Sequence, residues 1–316
     1  MIPSKNIDMN GFRARFEMKG VPVQFVNAIR RVLLNETPTV VLGGIQIHTN
    51  TTRMPHEMLQ LRTELLPVNV RTSEEDLLRS AKLTLRINAE EDVRVYSSDF
   101  VVEGSRTDVL MLDRDLGTPL FFLKMKKGEA VHVTAGLRVE QGSSHCCVAT
   151  YSYHIDTDRM EAAREEYLSA NKSDPNGHVF DNSHKQLVYH KNEKGRPDWF
   201  DVTVESIGVI PARELVKDAL ATIKKNMIEW SRSDIIREKE TNAYMVVSDI
   251  GGITVSALVQ AVLYDSGLCS FVSYDRLHPL RTETTVRFLT ERTPEEIMAF
   301  VVAKVTEYCD TATPLL

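Results

Sequence analysis

Three short stretches of this chain bring together residue types capable of chemistry. His145-Cys146-Cys147 sets an imidazole beside two thiols, the donors that zinc prefers. Consecutive residues cannot readily chelate one tetrahedral ion. The other cysteines, Cys269 and Cys309, form no CxxC pair with them. The expectation is no metal and no cofactor, with Cys147 and Ala149 turned into a core by strand alternation. Asp113-Arg114-Asp115 pairs two carboxylates without the further carboxylate of a magnesium site, and reads as a charged loop. His132, Glu140 and His145 could serve a hydrolase or transferase, yet His132 and Glu140 fall on the water-facing side of one strand. No GxxxxGK[ST], GxSxG or HExxH motif occurs, so no catalytic residue is assigned. What remains is recognition chemistry. Arg30-Arg31 lies on a helix, with Asn27 one turn before it and Glu57 further on. Adjacent helical residues point ~100° apart, so one arginine borders the apolar stripe and the other projects away. Guanidinium groups are favoured anchors at protein interfaces.

The elements that must position these residues follow from periodicity. A helix is expected from Pro22 to Asn35, with Phe25, Val26, Ile29, Val32 and Leu33 on one stripe. Gly43-Gly44 breaks the chain before the alternating Ile45-Gln46-Ile47, and Pro55 and Pro67 bracket a short amphipathic segment. From Val70 the texture becomes β-rich: Leu83, Leu85 and Ile87 alternate with polar residues, as do Val131, Val133, Ala135, Leu137 and Val139. Residues 169–197 read as a loop. Phe200, Val202 and Val204 then mark a strand, and Pro211 opens a long helix with Leu215, Val216, Ala219, Leu220, Ile223, Met227 and Trp230 on one face. Residues 232–241 are charged and read as a linker.

The remainder repeats this logic. Tyr244 to Ser248 reads as a strand, and Gly251-Gly252 precedes a helix carrying Leu258, Val259, Val262 and Leu263. A hairpin follows, and Thr293-Pro294-Glu295-Glu296 is a capping box opening a helix with Ile297, Phe300, Val301, Val305 and Tyr308. The fold class is therefore α+β: two small modules of antiparallel sheet plus helices forming an intramolecular pseudo-dimer. One module comprises residues 1–69 and 200–231, a β-rich insert occupies 70–199, and the other module spans 242–316. Each long helix carries a stripe too wide for its own sheet. Six large apolar side chains buried between them are worth roughly 10 kcal/mol.

Bulk properties narrow the class. In 316 residues the formal net charge is -6, which argues against a chain that grips nucleic acid directly. The one basic cluster, Lys124-Met125-Lys126-Lys127, reads as a solvated hairpin edge. No apolar run approaches the ~20 residues needed to span a bilayer, and the first residues lack the apolar core of a secretory signal, so cytoplasmic residence is expected.

Val26-Asn27-Ala28-Ile29-Arg30-Arg31-Val32-Leu33-Leu34, the strand around Ile45 to His48, Asn50-Thr51-Thr52, Glu57 and Leu65-Leu66-Pro67 together resemble the signature stretch of α-like RNA polymerase subunits. These are the bacterial α subunit, the archaeal D subunit and the third subunit of eukaryotic RNA polymerase II. Phe200 to Gly208 running into Pro211 looks like the return of the same domain, and Val95 to Phe100 and Gly142 to His145 are similar to its insert. Gly251-Gly252-Ile253-Thr254, Phe271-Val272-Ser273-Tyr274 and His278-Pro279-Leu280 look like the smaller partner, the archaeal L or eleventh subunit. The resemblance implies a single-chain fusion of the two, as in polymerases of some large DNA viruses, acting as a non-catalytic assembly platform. It implies that Asn27, Arg30, Arg31 and Glu57 contact the second-largest, β-like subunit. The largest, β′-like subunit and the tenth- and twelfth-type small subunits would follow, with DNA and RNA met only through the complex. Residence is then the cytoplasm, a virus factory or virion, or the nucleus. Some relatives hold zinc or an iron–sulfur cluster through cysteines in the insert, and this sequence lacks those ligand sets. The competing reading is a free-standing enzyme with its site in the β-rich insert, or an interaction module outside any polymerase.

Overall fold

The computed structural model describes residues 6–7, 11–141, 146–238 and 242–312. The Gly142–His145 motif and residues 239–241 of the expected linker lie outside the described residues. Contacts divide the chain into two compact units. Met1–Leu33, Ala149–Val204 and Val216–Leu316 form the first; Leu34–Val148 and Glu205–Leu215 form the second.

In chain order the first elements are β1 (Asn6–Ile7), β2 (Arg13–Lys19), α1 (Val23–Asn35), β3 (Thr39–Asn50), α2 (His56–Glu64), α3 (Glu75–Ser80), β4 (Lys82–Asn88) and β5 (Val93–Tyr96). Next come β6 (Val101–Glu103), β7 (Phe121–Met125), β8 (Ala130–Glu140), β9 (Cys147–Tyr153), α4 (Thr157–Ala170), α5 (His178–Asn182), β10 (Trp199–Ser206) and α6 (Ala212–Trp230). The chain continues through β11 (Ile235–Arg237), β12 (Ala243–Ser248), α7 (Gly252–Ser266), β13 (Phe271–Asp275), β14 (Thr284–Leu289) and α8 (Pro294–Ala312).

The first unit contains two four-stranded sheets with one topology. Their strand orders are β1-β2-β10-β9 and β11-β12-β14-β13. In both, a short edge strand flanks the strand that leads into the first helix. The strand leading into the second helix lies beside that one, and the remaining strand takes the far edge. The terminal helices α6 and α8 are each 19 residues long. Along β10 the alternation holds as read, with Phe200, Val202 and Val204 buried. Strand β2 was not legible in advance, although Ala14, Phe16 and Met18 point inward. The expected linker is partly a strand: β11 pairs antiparallel with β12, Ile235 opposite Val246. Its charged texture misled because edge pairing is made by backbone groups, which any side chain can carry.

Residues 169–197, expected as a loop, hold α5 and a 3₁₀ turn over His184–Leu187. One polar residue there serves the start of α5. The Asp174 carboxylate accepts the amides of His178 and Val179 at 3.0 and 2.9 Å, and Phe180 is buried beside Tyr167. The capping box of α8 is closed, Thr293 N–H donating to Glu296 Oε2 at 3.3 Å and Glu296 N–H to Thr293 Oγ1 at 3.4 Å.

The second unit is built on a β3-β8-β4-β6 sheet and the β5-β7 pair. Leu42, Leu83, Leu85, Phe122, Met125 and Val133 lie in its core. Strand β3 precedes residue 70 and pairs with β8 through a bulge at Gly43–Gln46, so sheet pairing crosses the change in sequence texture. Asp113 is a turn residue whose carboxylate accepts the amides of Asp115 and Leu116, and Arg114 reaches Glu205 at 2.7 Å. Among the described residues no helix is long and apolar enough to cross a membrane.

Gly251 sits at φ +59° at the start of α7, and a Cβ there would collide with the Val255 side chain. Gly251→Ala is expected to lower the unfolding free energy by ~1–3 kcal/mol, read as a shift of the urea midpoint.

Candidate functional site

Helix α1 starts directly after Pro22, whose carbonyl accepts the Phe25 amide at 3.0 Å. Phe25, Val26, Ala28, Ile29, Val32 and Leu33 are buried. Asn27, Arg30 and Arg31 lie on the border of this stripe, half-buried. Arg30 Nε donates to Asn27 Oδ1 at 3.1 Å, the i to i+3 spacing that places two side chains on one helix face. Arg31 goes elsewhere: its Nε donates to Thr254 Oγ1 on α7 at 2.8 Å. The two arginines thus divide as adjacent helical residues must, one toward Asn27 and the other toward α7. Glu57 is exposed on α2, in the other compact unit.

Among the described residues, several contacts join the two sheet-and-helix modules inside the first unit. Besides Arg31–Thr254, the Phe25 ring lies 5.3 Å from that of Tyr308 on α8. Lys224 on α6 meets Asp310 on α8 at 2.6 Å, and this partner raises the Lys224 pKa. Of the named helix residues, Leu215, Val216, Ala219, Leu220, Ile223 and Met227 are buried, as are Ile297, Val301 and Val305, while Phe300 is half-buried. A cleft of about 450 Å³ opens beside the seam, lined by Pro22, Gln24, Arg196, Gln260, Tyr264 and Asp265 among others. Arg196 spans it, 2.6 Å from Asp265 and over the Tyr264 ring.

The groups singled out for chemistry are placed as follows. Cys146 and Cys147 are buried free thiols with sulfurs 3.8 Å apart, and the hydrogen bond between them together with burial holds the Cys147 thiol far above its ordinary value. The His132 ring lies 4.5 Å from that of His48, tilted by 33°, Glu140 is held by Arg138 at 2.9 Å, and burial lowers the His132 pKa. The charged loop has a structural role, since Asp115 and Glu205 hydrogen-bond Arg114 and raise its pKa. His278 stabilises a turn, its Nδ1 accepting the Leu280 amide at 3.1 Å. Sequence reasoning missed Thr254 as the acceptor for Arg31, because residues 223 apart carry no shared local pattern.

Residues 15–227 match the family model described as the RNA polymerase Rpb3/Rpb11 dimerisation domain. The chain belongs to this Rpb3/Rpb11 family. It is 29% identical over 176 residues to the DNA-directed RNA polymerase subunit Rpo3 of Pyrobaculum calidifontis, covering 51% of this chain and 65% of that one. To Rpo3 of Natronomonas pharaonis it is 25% identical over 234 residues, 69% of this chain and 91% of the relative. To the RNA polymerase II subunit RPB3 of Schizosaccharomyces pombe it is 24% identical over 281 residues, 76% and 89% of the two chains. The chain spans 65%, 56% and 61% of three Pyrobaculum relatives, less than two thirds of their length. The family match ends at residue 227, before the second sheet begins.

Replacing Arg31 with Met or Thr254 with Val is expected to cost ~1 kcal/mol each, and the double variant little more than either. A double-mutant cycle by chemical denaturation reads this coupling. Burial pushes the Cys309 thiol on α8 up from its ordinary value near 9 to about 12. The folded protein therefore keeps a proton that the unfolded chain releases, and stability present below pH 9 should fall as pH rises toward 12. Cys309→Ala should flatten that alkaline decline in denaturant midpoints measured against pH.

Proposed function

We propose that this protein is a non-catalytic assembly subunit of a DNA-directed RNA polymerase, in which a third-subunit-type half and an eleventh-subunit-type half share one chain. The supporting observation is the repeated strand order, β1-β2-β10-β9 and β11-β12-β14-β13, with each sheet feeding two helices. Most of one copy falls in residues 15–227, the stretch matching a dimerisation domain, and the other follows it. On this reading the second module takes the place of a separate dimer partner. The fusion would supply an effective concentration of ~mM, keeping closed a pair whose own Kd is ~μM.

The partner-facing residues under this proposal are Arg30, oriented by Asn27, together with Glu57 on the second unit. Arg31 belongs to the same set by resemblance, but its bond to Thr254 commits its Nε to the internal seam. The β-like subunit would dock first and the β′-like subunit next, with small subunits of the tenth and twelfth types joining the assembly. DNA and RNA would be reached only through them. The protein would reside wherever that polymerase transcribes.

Arg30→Glu is expected to abolish co-purification of a β-like subunit while leaving the melting temperature within ~1 °C of the parent. Arg31→Glu is expected to lower the melting temperature as well, because it unmakes the seam bond. Tagged native chain that recovers no large polymerase subunit under mild conditions would overturn the assignment.

A further inference from the structure

The outer face of the first sheet carries a group of side chains unconnected with the dimer-like seam. Because β10 lies between β2 and β9, Glu17 of β2, Asp201 of β10 and His154, just past β9, form a row across three neighbouring strands. His154 extends the pairing, its amide donating to the Trp199 carbonyl at 3.0 Å. One ligand atom from each of Glu17, His154 and Asp201 lies within 4.8 Å of the others, and all three side chains are half-buried. We propose that these three residues form a binding site for a divalent transition-metal ion.

The geometry and the charge agree. His154 Nδ1 stands 2.9 Å from Asp201 Oδ1. That is close to the ~3 Å edge of an octahedron whose metal–ligand bonds are ~2.1 Å long. Two carboxylates and a neutral imidazole sum to the charge that balances a dication, and this mixed set suits Mn²⁺, Co²⁺ or Zn²⁺ better than Mg²⁺. Water would complete the coordination.

Trp199 holds two of the ligands in place. Its Nε1 donates to Glu17 Oε2 at 3.1 Å, which leaves Oε1 for an ion, and its ring stacks on His154 at 3.9 Å and 12°. Such outer contacts are what fix metal-ligand orientation. The Lys19 ammonium lies 4.1 Å from the same ring. That nearby positive charge opposes any cation, so the bonds from nitrogen and oxygen must outweigh it. As a surface ion pair only, His154–Asp201 would contribute ~0–1 kcal/mol.

The test is a Co²⁺ titration of the full chain, freed of metal by chelator and followed by tryptophan emission. Of the two tryptophans, Trp199 stacks on the proposed ligand and Trp230 is buried on α6. Saturable quenching at one ion per chain, displaced by Zn²⁺, is expected. Glu17→Gln and Asp201→Asn should each raise the midpoint by ~10-fold or more. Glu17→Gln keeps the side chain's shape and its bond from Trp199, so it decides the matter if Asp201→Asn fails to fold. Quenching that does not saturate, or a midpoint unmoved by Glu17→Gln, would overturn the proposal. So would Zn²⁺ binding that disappears only on Cys269→Ser.

Discussion

Helix α7 is buried over more of its circumference than one sheet can cover. Thr254, Val255, Ser256, Leu258, Val259, Ala261, Val262 and Leu263 are all inside, an arc of about 220° at ~100° per residue. A helix lying on a sheet at a surface needs a stripe of ~100°. The strands β13 and β14 pack against part of this arc, and α8 takes another part. The rest requires a second layer, and α1 reaches that side through Arg31 on Thr254. Burial of this helix is the constraint that brings two sheets of equal topology into one compact unit.

Apolar burial sets the strength of such a seam but not its register, because it has no direction. The polar contacts at its border supply direction: Arg31 to Thr254, Lys224 to Asp310 and Arg196 to Asp265. Lys224–Asp310 and Arg196–Asp265 are solvent-exposed and add little stability. Arg31–Thr254 is half-buried, so losing one partner leaves a polar group without its bond. The pair Arg30-Arg31 therefore serves two ends, one residue pinning the internal layer and its neighbour held by Asn27 at the edge of the stripe.

The second unit obeys a different rule. Its sheet is assembled by β3 pairing with β8, residues some ninety positions apart, and its core takes Val40 and Leu42 from β3 and Val131, Val133 and Ala135 from β8. The charged residues in its loops are occupied with backbone: Asp113 closes a turn and Arg114 reaches the Ser206 carbonyl at 2.7 Å. Residues that looked catalytic in isolation, Asp113, Asp115, His132 and Glu140, are engaged in turns, ion pairs and a ring contact.

Local pattern determined a great deal by itself. The stripes of α1, α6 and α8, the alternation of β10, the capping box at Thr293 and the repeated element order follow from periods of 3.6 and 2 residues, which depend only on near neighbours. The signature around Arg30-Arg31 likewise carried the family. Strand β11 was hidden by its charge, β2 by its short Ala-Phe-Met alternation, and α5 by its polar composition. Which strands lie side by side, that Arg31 meets Thr254, and that Glu17, His154 and Asp201 converge were decided only by the tertiary structure. Those meetings join residues tens to hundreds of positions apart, and they are selected by burying apolar faces together, a free energy that no short window of sequence contains.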